Sequence, residues 1–209
     1  LTVEDVLSIY EKEKPEGVVV QFGGQTPLNI ASELAQAGVR ILGTPPDTID
    51  LAEDRDRFRL IMRELGIPQP TSGMASSLAE AREIAADIGY PLMVRPSYVL
   101  GGRGMEVIMD EVMLARYVEA AVALSPERPI LIDKFLDNAV EAEADAIADG
   151  TDAFVPAVME HIELAGIHSG DSACVITPIS IPPKHIDTIN EYTRKIAVEM
   201  NVVGLMNTH

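Results

Sequence analysis

The chain has 209 residues, 47% of them hydrophobic, with 33 acidic against 16 basic side chains and a formal net charge of −17. That length suits one large domain or two small ones, and the apolar share excludes global disorder. The acidic excess argues against non-specific binding to nucleic acid or anionic membrane, both of which need basic patches.

The predicted elements follow in chain order. Thr2 with Asp5 marks a helix start, and an amphipathic pattern runs to Lys14 before Pro15 and Gly17 break it. Val18 to Val20 reads as a buried strand ended by Gly23-Gly24. Thr26-Pro27 reads as an N-cap followed by Pro at N1, with Gly38 in the C′ place. Ile41-Leu42 is a second short strand, closed by Gly43 to Pro46. Strand, helix, strand at this spacing predicts parallel pairing in an α/β sheet. Gly23-Gly24-Gln25-Thr26-Pro27 is not the G-x-G-x-x-G of a dinucleotide turn. A helix over 54–65 follows, then a joint at Pro68 and Pro70. Ser77 and Glu80 form a capping-box pattern for a helix ending at Gly89. Strands are predicted at 92–94, 105–109 and 130–132, with a helix over 110–124 after the second of them. Residues 140–148 alternate strictly and turn at Asp149-Gly150 into a strand over 154–159, which is a β-hairpin. A strand over 173–176, a long helix opened by Pro182-Pro183 and a strand over 202–206 complete the chain.

Three places carry chemistry. Arg95 ends an apolar strand and leads into a loop, Ser97 to Gly104, that holds Gly101, Gly102 and Gly104. A guanidinium there needs an anion, and its planar fork suits phosphate oxygens. Glycines let backbone N–H groups approach such oxygens. Two readings stand: Arg95 meets a phosphate, or it pairs a structural carboxylate. The second place is the alternating run in which Glu141, Glu143 and Asp145 share one face of a strand. It is either a solvated outer face or the wall of a nucleotide site, where a carboxylate accepts from ribose hydroxyls. The third is the loop Gly166-Ile167-His168-Ser169-Gly170-Asp171-Ser172, dense in donors for a sugar or phosphate. The single cysteine, Cys174, excludes an intramolecular disulfide and a multi-cysteine zinc site, and its apolar strand predicts an inert thiol. His161 and His185 have no partner that the sequence reveals. No apolar run approaches the roughly 20 residues of a membrane span.

Taken together, Ala52-Glu53-Asp54-Arg55, Val94-Arg95-Pro96-Ser97-Tyr98-Val99-Leu100-Gly101-Gly102-Arg103, Asp133-Lys134-Phe135-Leu136-Asp137, Met159-Glu160-His161-Ile162-Glu163 and Gly166 to Cys174 resemble the large subunit of carbamoyl-phosphate synthase, in its C-terminal half. The resemblance implies an ATP-grasp fold of the α/β class. Residues 1–50 would be the end of a pre-ATP-grasp domain with a parallel sheet. Residues 51–209 would be an ATP-grasp domain with a lid lobe over about 68–132, incomplete at its C-terminal end.

It further implies a cytoplasmic ligase of arginine and pyrimidine biosynthesis. This half of the enzyme phosphorylates carbamate with ATP, alongside the rest of the large subunit and a glutaminase small subunit. Arg95 and His168 are then the catalytic candidates. Arg55 and Arg95 would meet the phosphates, with Gly101 and Gly102 in the loop beside them. Lys134 and Leu136 would sit at the adenine, mainly through backbone atoms, and Glu141 at the ribose. Gly166, Ile167, His168 and Ser169 would line the nucleotide. Mg²⁺, with Mn²⁺ as an alternative, would accompany the phosphates.

The family pattern has a Gln metal ligand where this sequence has His209, and the remaining ligands would follow that position. A start at Leu1 inside a helical pattern and an end at His209 are expected of a piece of a longer protein that is inactive by itself. A non-catalytic nucleotide-binding or assembly module, and another ATP-grasp ligase such as a biotin-carboxylase-like enzyme, are the alternatives.

Overall fold

Thr2 caps α1 (Val3–Glu13) by accepting the Asp5 amide at 3.2 Å, and Lys14 closes it in the left-handed region at φ 49°. In the computed structural model, which describes residues 1–96, 105–124, 129–164 and 172–209, this helix opens the first of two units. That unit comprises Leu1–Pro68, Val140–Glu163 and Ala173–His209. β1 (Val18–Val19) and β2 (Ile41–Leu42) pair in parallel, as the strand-helix-strand spacing predicts. The helix between them departs from expectation. Thr26 is not a cap: Gln25, Thr26 and Pro27 lie inside α2 (Gln25–Asn29), which opens at Gly24 and gives way at Ile30 to α3 (Ala31–Gln36). Proline is tolerated in a first turn because that turn's N–H groups have no intrahelical acceptor. Gly43 to Pro46 also does more than close a strand, since Pro46 is the first residue of α4 (Pro46–Glu53). Asp54 then caps α5 (Arg55–Glu64), its carboxylate accepting the Arg57 amide at 3.0 Å.

The main sheet of this unit runs in the order β10-β7-β8-β9, all antiparallel. Its strands are β7 (Ala142–Asp149), β8 (Ala153–His161), β9 (Cys174–Ile176) and β10 (Val203–Thr208). Ala144, Ala146 and Ala148 point inward and are buried. Small residues there let α8 (Pro183–Glu199) lie close, with Ile186 and Ile189 against Ala144 and Ala146. Ile196, Ala197 and Met200 join Met62 of α5 in a second apolar cluster. Buried hydroxyls fasten the first 50 residues to this layer. Thr44 Oγ1 donates to Val203 O at 2.9 Å and accepts from Gln21 Nε2 at 2.9 Å, while Thr48 Oγ1 donates to Met200 O at 2.7 Å.

The β7–β8 hairpin turns where the sequence places it. Gly150 adopts φ 89°, which favours glycine. Asp149 accepts from Thr151 N at 2.9 Å, Asp152 N at 2.9 Å and Thr151 Oγ1 at 2.8 Å. Those bonds, the Thr151 amide first, hold its carboxyl down from 3.8 to about 2. A carboxylate whose pKa falls on folding stabilises fully above its unfolded value and loses that contribution as pH drops through the folded one. The Tm of wild type is therefore expected to fall more steeply than that of Asp149→Asn between about pH 4 and 2. Thermal melts across that window check it, and parallel slopes would refute the assignment.

The second unit comprises Gln69–Ala139 and Leu164–Ser172, as far as these are described. Its sheet runs β3-β6-β4-β5, again all antiparallel. The strands are β3 (Ser72–Ala75), β4 (Leu92–Pro96), β5 (Glu106–Ile108) and β6 (Ile130–Lys134). The sequence reading has no counterpart of β3. Gly73 explains why: a Cβ there would stand 2.8 Å from Ile84 of α6 (Leu78–Ile88), so the strand gives up β propensity for close helix packing. Ser77 accepts the Glu80 amide at 3.2 Å, and Glu80 Oε2 accepts from Ser76 N at 2.7 Å. This is the predicted box, with its return bond one residue earlier. Leu92, Val94, Ile108 and Ile132 of the sheet are fully buried with Leu114 of α7 (Glu111–Leu124). Among the described residues no helix is long and apolar enough to cross a membrane.

Candidate functional site

In the second unit, strand pairing decides what Arg95 meets. β4 and β6 set Met93 opposite Asp133 and Arg95 opposite Leu131, so Arg95 and Asp133 are near neighbours on adjacent strands. Arg95 Nη2 donates to Asp133 Oδ2 at 3.0 Å, with side chains 28% and 19% exposed. The carboxylate partner, one of the two readings open from the sequence, is thus present. It does not use up the guanidinium: Nε is buried and has no hydrogen-bond partner among the described residues. An Arg at a strand end with a spare buried donor can still take a second anion.

Lys134 follows on β6. Its Nζ donates to Gly89 O at 3.0 Å and Tyr90 O at 2.9 Å. An ammonium beside those carbonyls complements the negative end of α6. Its backbone N–H goes to Thr71 O at 2.8 Å. Leu136 lies beyond the strand and is 55% exposed.

In the first unit, the outward face of β7 carries the acidic residues, and the neighbouring strands change their meaning. Glu141 and Glu143 are mostly buried, at 18% and 12% exposed, so they are not a solvated face; Asp145 remains exposed. Asn207 of β10, opposite Asp145, gives its Nδ2 to Asp145 Oδ1 at 2.9 Å and Glu143 Oε2 at 3.3 Å. His161 ends β8 beside them, its side chain fully buried. His209 stacks on it with ring centroids 5.5 Å apart. Sequence reasoning finds no partner for His161. Antiparallel pairing across the hairpin is the signal that supplies one, because residue 161 falls opposite 141.

Glu160, next to it, faces the other way. It accepts from Ser180 Oγ, from Ser180 N at 2.8 Å and from Ile179 N at 2.7 Å. These bonds, the Ser180 hydroxyl foremost, push its carboxyl below the ordinary glutamate value. Glu160 is therefore a structural acceptor that pins the segment before α8. Cys174, expected in an apolar strand, sits on β9 with its side chain exposed.

The remaining candidates lie outside the described residues: the side chain of Arg55, Gly101 and Gly102, and Gly166, Ile167, His168 and Ser169. Among the described residues, possible metal ligands gather at the Glu141 end of the sheet. The described donors that converge there are one carboxylate and two imidazoles. Mg²⁺ demands near-octahedral oxygen, so this trio does not fit it.

Similarity to known proteins bears on the whole sequence. Residues 54–209 match the family described as "Carbamoyl-phosphate synthase L chain, ATP binding domain", and residues 1–51 match "Carbamoyl phosphate synthase preATP-grasp domain". The carbamoyl phosphate synthase large chain of Methanothermobacter thermautotrophicus is 63% identical over 99% of this chain and 20% of its own length. The C-terminal section of the Methanopyrus kandleri large chain is 54% identical over 99% of this chain and 38% of its own length. This chain thus spans about a fifth of the first relative and under two fifths of the second. Among solved structures, the biotin carboxylase domain of Hydrogenobacter thermophilus 2-oxoglutarate carboxylase, in complex with MgADP, ADP and bicarbonate, superposes with a TM-score of 0.79. It is 20% identical and covers 98% of this chain and 47% of that one. That likeness shows a shared ATP-grasp fold. Identity of 63% to one group against 20% to the other decides between them: the chain belongs to the carbamoyl-phosphate synthase large-chain family.

Proposed function

We propose that this chain forms the ATP-gripping part of a carbamate-phosphorylating site, in the C-terminal half of a glutamine-dependent carbamoyl-phosphate synthase. The observation that carries the reading is the 63% identity maintained over 99% of the chain. Phosphoryl transfer asks a protein for positioning and charge neutralisation more than for a nucleophile. A carbamate oxygen attacks the γ-phosphorus in line; the new O–P bond forms as the bond to the β-phosphate oxygen breaks and ADP leaves. Arg95, with Arg55, neutralises phosphate charge, and Gly101 and Gly102 bring backbone N–H groups to the same oxygens. Lys134 spends its N–H on Thr71, which leaves the Leu136 N–H as donor to the purine edge and the Leu136 side chain against the ring. Glu141 accepts from the ribose, and Gly166 to Ser169 line the nucleotide, with His168 nearest the chemistry. Bound Mg²⁺ would add charge neutralisation at the nucleotide. The remainder of the large chain and a glutaminase subunit supply the carbamate, and the product feeds arginine and pyrimidine synthesis.

Titration of the full chain with a non-hydrolysable ATP analogue tests the nucleotide part. Saturable one-to-one binding is expected, and a folded chain that binds none would overturn it. A chimaera in which this chain replaces the matching segment of the Methanothermobacter large chain tests the synthase part. Carbamoyl phosphate formation above that of an Arg95→Ala chimaera is expected, and equal formation by the two would defeat the assignment.

A further inference from the structure

The main sheet of the first unit ends on one side at β10, which among the described residues pairs only with β7. On the far side of an edge strand, every second residue turns its N–H and C=O away from the ladder. Side chains from the N-terminal segment take the place of a neighbouring strand there. One hydroxyl serves both groups of Val203: Thr44 Oγ1 donates to Val203 O at 2.9 Å and accepts from Val203 N at 3.2 Å. The next outward carbonyl, Leu205 O, accepts from Gln21 Nε2 at 3.4 Å, and the same nitrogen donates to Thr44 Oγ1 at 2.9 Å. Gln21 reaches this position because two residues lack side chains. A Cβ at Gly43 would stand 3.0 Å from Gln21 Oε1, and one at Gly204 would stand 2.6 Å from it, too close for any side chain. The carboxamide thus lies in a slot between β10 and the turn after β2.

What the slot controls lies two residues further along β10. Asn207 repeats the pleat position of Leu205. Its Nδ2 bridges Asp145 Oδ1 at 2.9 Å and Glu143 Oε2 at 3.3 Å, across the acidic face of β7. The longer of these bonds is lost if β10 slides by a few tenths of an ångström, and two like charges on one strand face are then left without their shared donor. We infer that Gln21 is a positioning residue for the acidic face of the nucleotide site: it holds β10 where Asn207 spans Asp145 and Glu143. The inference rests on the nucleotide reading of that face. Gln21 acts through the β10 backbone rather than through a contact with substrate. A clasp that only stabilised the fold would lower the Tm and leave Asn207 in place. Thr48 supplies the control, because its hydroxyl fastens the same N-terminal segment to Met200 O, before β10 begins.

The test is the side-chain amide NMR signal of Asn207 in the isotope-labelled full chain, identified by its loss in Asn207→Asp. Gln21→Met keeps the length of the side chain and removes the donor. It is expected to shift that signal, whereas Thr48→Val lowers the Tm without shifting it. Gln21→Ala should shift it further; should that variant unfold, Gln21→Met decides alone. In the Methanothermobacter chimaera, Gln21→Met should lower kcat about tenfold with the KM for ATP changed less than about twofold, since misplacement by about 1 Å can cost 100-fold in rate. An unmoved Asn207 signal in folded Gln21→Met, an equal shift in Thr48→Val, or an unaltered kcat in an active chimaera would overturn the role. The NMR signal needs no turnover, so the activity of the wild-type chimaera reports on the phosphoryl-transfer reading separately.

Discussion

Truncating Ile132 to alanine is expected to cost about 2–5 kcal/mol of folding stability, the range for deleting a large aliphatic side chain from a packed core. Ile132 is fully buried on β6, between β3 and β4, opposite Gly73 on one side and Val94 on the other. Gly73 has no side chain to shift into the space, and Leu92, Val94, Ile108 and Leu114 around it are themselves fully buried. The cavity therefore collapses little, which places the cost toward the upper end. Since domains are stable by only about 5–15 kcal/mol, the loss is a large share of the total. Urea denaturation followed by a probe in this unit measures it as a lower midpoint at unchanged m-value. Ile132→Val should cost roughly 0.5–1.5 kcal/mol. Equal effects of the two substitutions would contradict the packing described for this sheet.

Arg95→Ala is expected to weaken binding of an ATP analogue by about 1.5–3 kcal/mol, the net worth of a hydrogen bond to a charged group. That is roughly 10- to 150-fold in Kd. Arg95→Lys should fall between, because lysine keeps the charge and loses the planar fork. The Asp133 contact supplies the decisive control. If Arg95 served Asp133 alone, Asp133→Asn and Arg95→Ala would both lower stability and neither would lower nucleotide affinity. The phosphate reading instead gives Arg95→Ala a loss of affinity beyond its loss of stability, with Asp133→Asn largely sparing affinity. Calorimetric titration and thermal melts of the two single variants and the double variant separate these outcomes through the coupling between them.

Local chemistry accounts for what is legible along the sequence. Thr2, Ser77 and Asp54 stand at helix starts because side-chain oxygens satisfy first-turn N–H groups, a rule confined to neighbouring residues. Gly150 marks the hairpin for an equally local reason. The split of one expected helix into α2 and α3, and strand β3 with its poor strand former Gly73, are not legible. Both depend on what packs against the segment rather than on the segment's own preferences.

The functional face of the β7–β8 hairpin shows the same division more sharply. Near the turn, Ala148 pairs Ala153 and Ile147 pairs Phe154; beyond an irregularity between Asp145 and Ile147, Asp145 pairs Ala157 and Glu143 pairs Met159. Counting outward from the turn without that shift would slip the register by one and send His161 to the wrong face. By itself the sequence determined the family, the hairpin and the alternation that puts Glu141, Glu143 and Asp145 on one side. These follow from residue identity and the period-two geometry of a strand. Only the tertiary structure decided that Arg95 meets Asp133 and that His161 is buried between Glu141 and Glu143 with His209 stacked upon it. Those partners are brought together by the pairing of different strands, and no spacing within one segment encodes that register.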